Sequence, residues 1–419
     1  MKVLIVTMYF PPAGGGGVQR PLKFATHLPA HGIETHVLAP DDPKWIHVDP
    51  ELQPPTQAWI HRARYIGPRS RKLAEELHGR RGLDRVSREA RSLSRRVLVP
   101  DENVTWNLTA IPAAVRIARA EKIDVVLTTS PPNSVHLVGA AVKRATGARW
   151  VADLRDSIGA HPHRHAERAL VRAKEKVSME VARLVARQAD AIVAASEAIA
   201  DEARALDPDG VVAPILNGAD FDDFAGLEYR RGDRFRITHT GSFFGKRDPR
   251  PFLRALAESG LEDVVARFIG DFRSSDRDWA LRQLDLGDRL ELHPYVPRRQ
   301  SLALQRDSDA LLLLIPEANG RGKGVLSGKV FEYLAAERPI LAAVPPDGAA
   351  AKLIDEVAAG VVAPPDDVQA LTVALRSLYD AWVAGTLDGT PLSPADRERL
   401  GRGARVEELA ELLRSVARA

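Results

Sequence analysis

A lysine and a glutamate stand one helical turn apart just after a glycine-rich loop, within residues 315–344. Lys329 and Glu332 lie on a short predicted helix that begins at Gly328, directly after Ser327, a residue type that caps helices. The first-turn N–H groups and positive dipole end of such a helix suit an anion. A cation beside these amides suits a diphosphate, and a carboxylate one turn further on suits a sugar diol. The pattern predicts a nucleotide-sugar site.

An unbroken apolar run at residues 310–315 precedes this loop and is typical of a parallel strand that is covered on both faces. The polar loop 317–328 therefore leaves the carboxyl edge of a sheet, where open α/β folds hold their ligands. A second interpretation of Lys329 and Glu332 stays open, because residues three positions apart on a helix also form exposed ion pairs.

The segment SGKVFEYLAAERPIL, residues 327–341, resembles the signature of retaining glycosyltransferases of family 4. Further segments resemble the same family in the same order along the chain: GGVQ, SPP, DLRDS and TGS. The resemblance implies an α/β protein with the GT-B fold, in which two Rossmann-like domains with doubly wound parallel sheets flank a cleft. The alternation of predicted strands and helices in both halves of the chain agrees with that fold class.

The resemblance also implies the contacts of the sugar donor. Glu332 matches the family's glutamate that binds the nucleotide ribose, and donor contacts are expected from the loop residues Gly324, Val325 and Leu326. The chain departs from the family at two positions. Glu337 stands where the family often has a helix-ending glycine, and Gly324 stands where the commoner pattern has a second glutamate eight residues before the first. Glu317 is the acidic residue of this loop that is left to take over that role.

Basic residues follow the TGS segment of a second predicted strand and loop. Gly241, Ser242, Lys246 and Arg247 are expected to hold phosphate oxygens, so that two cations take the place of a metal at the leaving diphosphate. We therefore expect neither a metal nor a cofactor. Plain surface charge is the alternative, since arginine is common in this part of the chain.

Four consecutive glycines follow the first predicted strand, and glycine lets backbone approach a ligand closely. A dinucleotide-binding fingerprint fails here, because Gln19 occupies the position of its third glycine. The GGVQ resemblance implies instead that Gly16, Gly17, Val18 and Gln19 lie near the diphosphate and the acceptor. A purely structural glycine loop is the alternative.

The DLRDS segment places two carboxylates around a guanidinium at the end of a predicted strand. Asp153, Arg155 and Asp156 could position an acceptor and remove its proton, with Asp156 as an acceptor contact. An internal ion-paired scaffold is the alternative. His136 follows the SPP turn at the start of a predicted helix, where a neutral imidazole is favoured, and it is expected either to contact a ligand or to be structural.

Composition bounds the remaining function classes. At 419 residues the chain is expected to form two domains of roughly 200 residues each. Cysteine is absent, which excludes disulfides and thiolate metal sites. We also reject a metal site at the HPHRH segment, residues 161–165, because it has a single nearby carboxylate. No signal peptide or long apolar span is recognised, so a cytoplasmic protein is expected.

Twelve lysines and arginines stand against four acids between Arg62 and Arg96, although the whole chain has a net charge of only +3. Such a segment could contact an anionic membrane from the inner face, or form a solvated helical face. Nucleic acid is not an expected partner, because no aromatic residues alternate with the positive charges between Arg69 and Arg96.

These observations predict three regions: an acceptor domain at 1–215, a nucleotide-sugar domain at 216–393, and a C-terminal helix at 394–419 that crosses back to the first domain. The expected activity is metal-independent transfer of a hexosyl or N-acetylhexosaminyl group, and the resemblance to family 4 implies retention of configuration and a UDP-linked donor. GDP stays open as the nucleotide, and so does the acceptor, a lipid-linked saccharide or a small molecule. The rival interpretations are a nucleotide-sugar epimerase or hydrolase on the same fold, and a non-catalytic protein of the membrane surface.

Overall fold

Two parallel β-sheets organise the part of the chain that the structure, a computed structural model, describes: residues 1–42, 47–67, 98–157, 169–243 and 246–419. The chain divides into two units. The first comprises the described residues up to Leu216 together with Arg405–Ala419, and the second comprises Asn217–Ala404. The predicted fold class, two doubly wound α/β domains, is thereby confirmed.

The first unit contains a seven-stranded sheet of order β3-β2-β1-β4-β5-β6-β7, in which every neighbouring pair is parallel. Its strands are β1 Lys2–Thr7, β2 Glu34–Pro40, β3 Ala58–Ala63, β4 Val125–Thr129, β5 Arg149–Leu154, β6 Ala191–Ala194 and β7 Val211–Pro214. Its described helices are α1 Gln19–His27, α2 Asn107–Glu121, α3 His136–Thr146, α4 Ala169–Gln188 and α5 Glu197–Arg204.

The second unit contains a six-stranded parallel sheet of order β10-β9-β8-β11-β12-β13. Its strands are β8 Phe235–Thr240, β9 Val264–Ile269, β10 Leu290–His293, β11 Ala310–Leu314, β12 Ile340–Ala343 and β13 Gly360–Ala363. Its helices are α6 Arg250–Glu258, α7 Ser274–Gln283, α8 Arg298–Arg306, α9 Gly328–Ala336, α10 Ala349–Glu356, α11 Val368–Val383 and α12 Pro394–Leu400. A last helix, α13 Arg402–Arg418, runs from the second unit into the first.

Strand β1 shows why the first sheet is covered on both faces. Leu4 and Val6 belong to one core cluster and Val3 and Ile5 to the other, as expected when successive side chains point to opposite faces. The first cluster takes in apolar residues of α2 and α3, and the second those of α1 and α13. In sheets of this kind the ligand-binding residues lie on the loops that follow the carboxyl ends of the strands.

Strand β3 was not predicted from the sequence, which reads as irregular up to Trp59. It lies at the edge of the sheet, and both Trp59 and Arg62 are exposed, so that the period-two pattern of a strand is obscured. The Arg62 guanidinium donates to the carbonyls of Pro11 and Pro40. The first residue of the predicted membrane-contacting segment therefore binds backbone, while residues 68–97 lie outside the described part of the chain.

The predicted C-terminal helix is divided in two at Gly401. Helix α12 begins after Ser393, whose hydroxyl accepts a hydrogen bond from the Asp396 N–H group. Helix α13 places Val406, Leu409 and Leu413 in the first unit's core, each with no exposed surface. None of the helices within the described ranges has the length and apolar character needed to span a membrane.

Leu409 provides a test of the packing of α13. Replacing Leu409 with alanine should lower the free energy of unfolding by about 2–5 kcal/mol, because it leaves a cavity in a closed core. The matched control is Glu411→Ala on the same helix, whose side chain is exposed and whose loss should change that energy by less than about 0.5 kcal/mol. Urea unfolding measures both values, and equally small effects would contradict the packing.

Candidate functional site

Helix α9 carries the central residues of the second unit's carboxyl edge. Ser327 precedes it with an extended backbone, φ −70° and ψ 157°, but its side chain makes no capping hydrogen bond. The predicted Ser327 side-chain cap is therefore wrong. Instead the Ser327 carbonyl accepts from the Val330 N–H group at 3.1 Å. Because the Ser327 side chain does not cap the helix, the first-turn N–H groups can donate to an external acceptor.

The Lys329 ammonium lies against Gly241, at the end of β8. A Cβ atom added to Gly241 would stand 2.5 Å from Lys329 Nζ, and the glycine has a positive φ of 117°. Glycine is thus required here both by its backbone conformation and by the space that the lysine occupies. Burial and the nearby charge of Arg247 lower the pKa of Lys329 to about 8, although Glu332 opposes this shift.

Arg247 and the TGS loop form the other side of this cationic cluster. The Arg247 guanidinium donates to the Ser242 carbonyl at 3.1 Å, and burial lowers its pKa. The Ser242 hydroxyl donates to Asp271 Oδ2 at 3.0 Å and accepts from the Asp271 N–H group at 3.2 Å. The hydroxyl is therefore engaged within the loops. Lys246 is half-buried and lies just before Arg247.

A buried histidine lies near both of these cations. The His239 ring is fully buried, and its Nδ1–H group donates to the Leu312 carbonyl at 2.8 Å. Burial, Lys329 and Arg247 hold the pKa of His239 well below its usual value. The ring is therefore neutral, and sequence reasoning did not single it out.

Glu332 is held by two side chains of α8. Arg298 donates to Glu332 Oε2 at 2.7 Å, and Gln305 donates to Glu332 Oε1, also at 2.7 Å. The ion pair of Glu332 is thus with Arg298, on a neighbouring helix, and not the simple surface pair with Lys329 that the helical spacing also allowed. Neither Arg298 nor Gln305 was identified from the sequence, because no local pattern links them to Glu332.

Tyr333 joins α9 to the end of β8. Its hydroxyl accepts from the Thr240 N–H group at 2.9 Å, and burial raises the pKa of Tyr333 to about 12. At the other end of the helix, Glu337 has a left-handed backbone with φ 51°, where the related family often has glycine. Its carboxylate pairs with Arg306 at 3.1 Å and with Arg397, and these two contacts hold it in that conformation.

The loop before α9 holds the remaining predicted donor contacts. Glu317, Gly324, Val325 and Leu326 are all half-buried and follow β11 at the carboxyl edge of the sheet. The loop is folded on itself, since the Glu317 carbonyl accepts from the Gly322 N–H group at 3.1 Å. These residues thus share an edge with Lys329, Gly241 and Glu332.

The glycine loop of the first unit is fixed by Arg155. Gly16, Gly17 and Val18 form a 3-10 turn before α1, and Arg155 donates to the Gly17 carbonyl at 2.8 Å. Gln19, the first residue of α1, is buried, and its Oε1 atom has no hydrogen-bond partner within the described ranges. The structure therefore brings together the GGVQ loop and the DLRD corner.

Asp153 forms a buried ion pair with Arg20, not with the neighbouring Arg155. Arg20 donates to Asp153 Oδ1 at 2.8 Å, and its two terminal nitrogens also donate to the carbonyls of Ile215 and Leu216. Thr129 donates to Asp153 Oδ2 at 2.7 Å. With side-chain exposures of 0% for Asp153 and 2% for Arg20, this pair is an internal scaffold. Asp156, by contrast, is exposed.

His136 lies in the interior, not at the surface of the first unit. It has no exposed area, and its Nδ1 atom lies 2.9 Å from Thr128 Oγ1, which also accepts from the Trp150 indole at 2.8 Å. Burial lowers the pKa of His136 to about 4, so the ring is neutral. Its Nε2 atom is without a partner among the described residues.

A group with metal-ligating composition occurs far from these residues, at the opposite, amino-terminal edge of the first sheet. Glu34, His36 and Glu121 have ligand atoms within 4.8 Å of one another. The Lys2 ammonium already binds Glu34 at 2.7 Å and neutralises it. The HPHRH segment, which was rejected as a metal site, lies outside the described residues.

Comparisons with known proteins agree with this architecture. Residues 15–218 match the family model of the glycosyl transferase 4-like domain. Sucrose-phosphate synthase from Thermosynechococcus elongatus superposes with a TM-score of 0.66 at 16% identity, covering 99% of this chain and 98% of that one. HepE from Anabaena, solved with UDP-glucose, gives a TM-score of 0.65 at 14% identity, covering 99% and 100%.

A putative UDP-N-acetylglucosamine 2-epimerase from Listeria monocytogenes is less similar, with a TM-score of 0.55 at 12% identity, covering 98% of this chain and 94% of that one. The search of curated proteins gives no match. At such identities the structures share a fold, and that fold is GT-B, as the sequence predicted.

Substitutions at Asp153 and Asp156 distinguish the structural role of one aspartate of the DLRD corner from the exposed position of the other. Asp153→Asn should lower the free energy of unfolding by about 3–5 kcal/mol, because it leaves the Arg20 charge buried without its partner. Asp156→Asn, three residues away and exposed, should change it by less than about 0.5 kcal/mol. Thermal and urea unfolding measure both, and equal stabilities would contradict the scaffold role.

Proposed function

We propose that this protein is a glycosyltransferase that moves a sugar from a nucleotide diphosphate sugar, with UDP as the nucleotide, to an acceptor nucleophile. The observation that carries the proposal is the arrangement around α9: an uncapped first turn, a Lys329 ammonium packed on Gly241, and a Glu332 carboxylate one turn later. The match of residues 15–218 to a glycosyl transferase 4-like domain supports it, as do related folds solved with UDP-glucose and UDP.

Lys329, Arg247 and Lys246 would bind the diphosphate together with the first-turn amides of α9. Positive charges held together in a half-buried site repel one another, and an anion bound between them offsets the free energy of that repulsion. As the bond to the sugar breaks, negative charge accumulates on the leaving diphosphate, which these groups stabilise most in a site that excludes water. Such a site would work without a metal, and full activity in EDTA is the expected result.

Glu332 would accept hydrogen bonds from the ribose hydroxyls, and the loop residues Glu317, Gly324, Val325 and Leu326 would contact the rest of the donor. For the sugar itself we propose retention of configuration by attack from the side of the leaving group. Two reasons support retention by this route. The family that the chain resembles is a retaining one, and no carboxylate of the described residues stands out as a covalent nucleophile.

The first unit would bind the acceptor, a lipid-linked saccharide or a small molecule. Arg155 binds the Gly17 carbonyl, and the exposed Asp156 lies next to Arg155 in sequence and would contact an acceptor hydroxyl. Gln19 offers a buried amide oxygen that has no hydrogen-bond partner in the described chain. Asp153 would act only through the scaffold that it forms with Arg20.

The rival proposal is a nucleotide-sugar epimerase or hydrolase, which the fold of the Listeria protein makes reasonable. The two differ in their need for an acceptor. A transferase should release UDP at a rate that rises with the concentration of its acceptor, whereas UDP-sugar consumption that ignores every added saccharide would favour the rival.

Nucleotide binding tests the donor site directly. UDP should raise the melting temperature of the protein more than GDP or ADP does, because ligand binding to the native state stabilises it. Glu332→Ala should reduce the affinity for UDP by about tenfold or more, as expected for the loss of hydrogen bonds to a charged group. The matched control Glu258→Ala, at the exposed end of α6, should bind UDP as the wild type does.

Two outcomes of that experiment would count against the proposal. A protein that no nucleotide stabilises would contradict the donor site as a whole. A Glu332→Ala variant that binds UDP with unchanged affinity would contradict only the ribose contact.

The pKa of Lys329 predicts how UDP binding depends on pH. A diphosphate binds the protonated ammonium, and the pKa of this group is about 8 in the free protein. The affinity should be nearly full at pH 7, about half of that at pH 8, and lower by about tenfold at pH 9, as the ammonium loses its proton. Isothermal titration calorimetry in buffers of different ionisation enthalpy should show proton uptake on binding at pH 8.5.

Lys329→Met is the matched variant for this pH dependence. It should bind UDP more weakly at pH 7, and its affinity should be nearly constant from pH 7 to pH 9. A wild-type affinity that is equally constant over this range would contradict the role of Lys329.

A further inference from the structure

Arg298, the first residue of α8, bridges two carboxylates that the sequence places far apart. Its Nη1 group donates to Glu332 Oε2 at 2.7 Å, while Nη2 and Nε donate to Asp223 Oδ2 at 2.9 and 3.3 Å. All three side chains are largely buried, with exposures of 16% for Arg298, 22% for Glu332 and 21% for Asp223. We propose that Arg298 is a positioning residue that sets the orientation of Glu332 toward the ribose, and thereby the preference of the site for ribonucleotides.

The hydrogen-bond capacity of Glu332 supports this inference, which rests on the proposed function. A carboxylate offers about four lone-pair directions, two on each oxygen. Arg298 uses one direction on Oε2, and Gln305 uses one on Oε1. One direction on each oxygen then remains for a pair of adjacent hydroxyl groups. Because both oxygens are anchored, the carboxylate cannot rotate away from a ligand that lacks one hydroxyl.

Asp223 fixes Arg298 from the other side. It belongs to the 3-10 turn Phe221–Phe224, which follows the entry of the chain into the second unit, and Phe224 is buried there. Burial would lower the pKa of Arg298, but the charges of Glu332 and Asp223 outweigh it and raise that pKa above its usual value. The guanidinium is therefore permanently charged.

Arginine is the side chain that suits this position. Its planar fork can direct separate N–H groups at two carboxylates at once, whereas a lysine ammonium is a single flexible point charge. The contact also extends beyond the site, because Asp220, three residues before Asp223, pairs with Arg402 at 2.9 Å at the start of α13. The orientation of Glu332 is thus linked, through the turn that holds Asp223, to a second ion pair within the second unit.

The test compares UDP with 2′-deoxy-UDP, using isothermal titration calorimetry on the full chain. The wild type should prefer UDP by about tenfold or more, as one hydrogen bond to a charged group predicts. Arg298→Met should bind UDP more weakly and discriminate less than about twofold, while its affinity for 2′-deoxy-UDP changes little. A purely structural role for Arg298 would weaken both ligands equally and leave the ratio intact.

Two further variants keep the test decisive. Asp223→Asn preserves size and leaves Arg298 in place but weakens its anchor, so it should reduce the discrimination by at least about threefold even if Arg298→Met fails to fold. Arg306→Met is the matched control, because Arg306 lies on the same helix and pairs with Glu337 at 3.1 Å, away from Glu332. It should leave the ratio of the two affinities unchanged.

The outcomes separate this inference from the proposed function. A wild type that binds neither nucleotide would overturn the proposed function itself. A wild type that prefers UDP, together with folded Arg298→Met and Asp223→Asn variants that keep the full preference, would overturn only the role of Arg298. A wild type that binds both nucleotides equally would also overturn that role, because Glu332 would then not read the 2′-hydroxyl.

Discussion

A half-buried lysine beside an arginine is the interaction on which the second unit's edge depends. Lys329 loses much of its hydration and feels the charge of Arg247, and both effects disfavour its ammonium form. The surrounding structure nevertheless holds the lysine in this place. Gly241 leaves room for its amine, and the hydrogen bond of Tyr333 joins α9 to the end of β8. An anion suits this arrangement, and a diphosphate supplies the matching charge. The proposed donor site follows from that electrostatic requirement.

The first unit uses charge differently. Its buried ion pair between Arg20 and Asp153 is also bonded to Thr129 and to two backbone carbonyls, as expected for an internal scaffold. Arg155 and the GGVQ loop lie at the same sheet edge, next to the exposed Asp156. The edge of the second unit, by contrast, brings the cations Lys329 and Arg247 close together, which suits the anionic donor proposed there.

Local patterns predicted the elements, while the partners of the site residues required the folded chain. Apolar runs such as that of β11 identified the parallel strands, and the GKVFEYLA segment identified α9 with Lys329 and Glu332. Strand β3 was missed because Trp59 and Arg62 are exposed at the sheet edge. The contacts of Arg20 with Asp153 and of Arg298 with Asp223 join residues 133 and 75 positions apart, and no periodicity encodes such distances. The predicted cap by the Ser327 side chain is wrong because the backbone carbonyl of Ser327, not its hydroxyl, accepts the hydrogen bond of the first turn.

A crystal structure of the protein with UDP tests the central claim most directly. The account predicts that the diphosphate accepts hydrogen bonds of about 3 Å from Lys329 Nζ and from the first-turn amides of α9, with the ribose hydroxyls on Glu332. Either of two results would contradict the account. UDP could bind at another sheet edge, or its diphosphate could lie in solvent while Lys329 packs on Gly241 and does not contact the diphosphate.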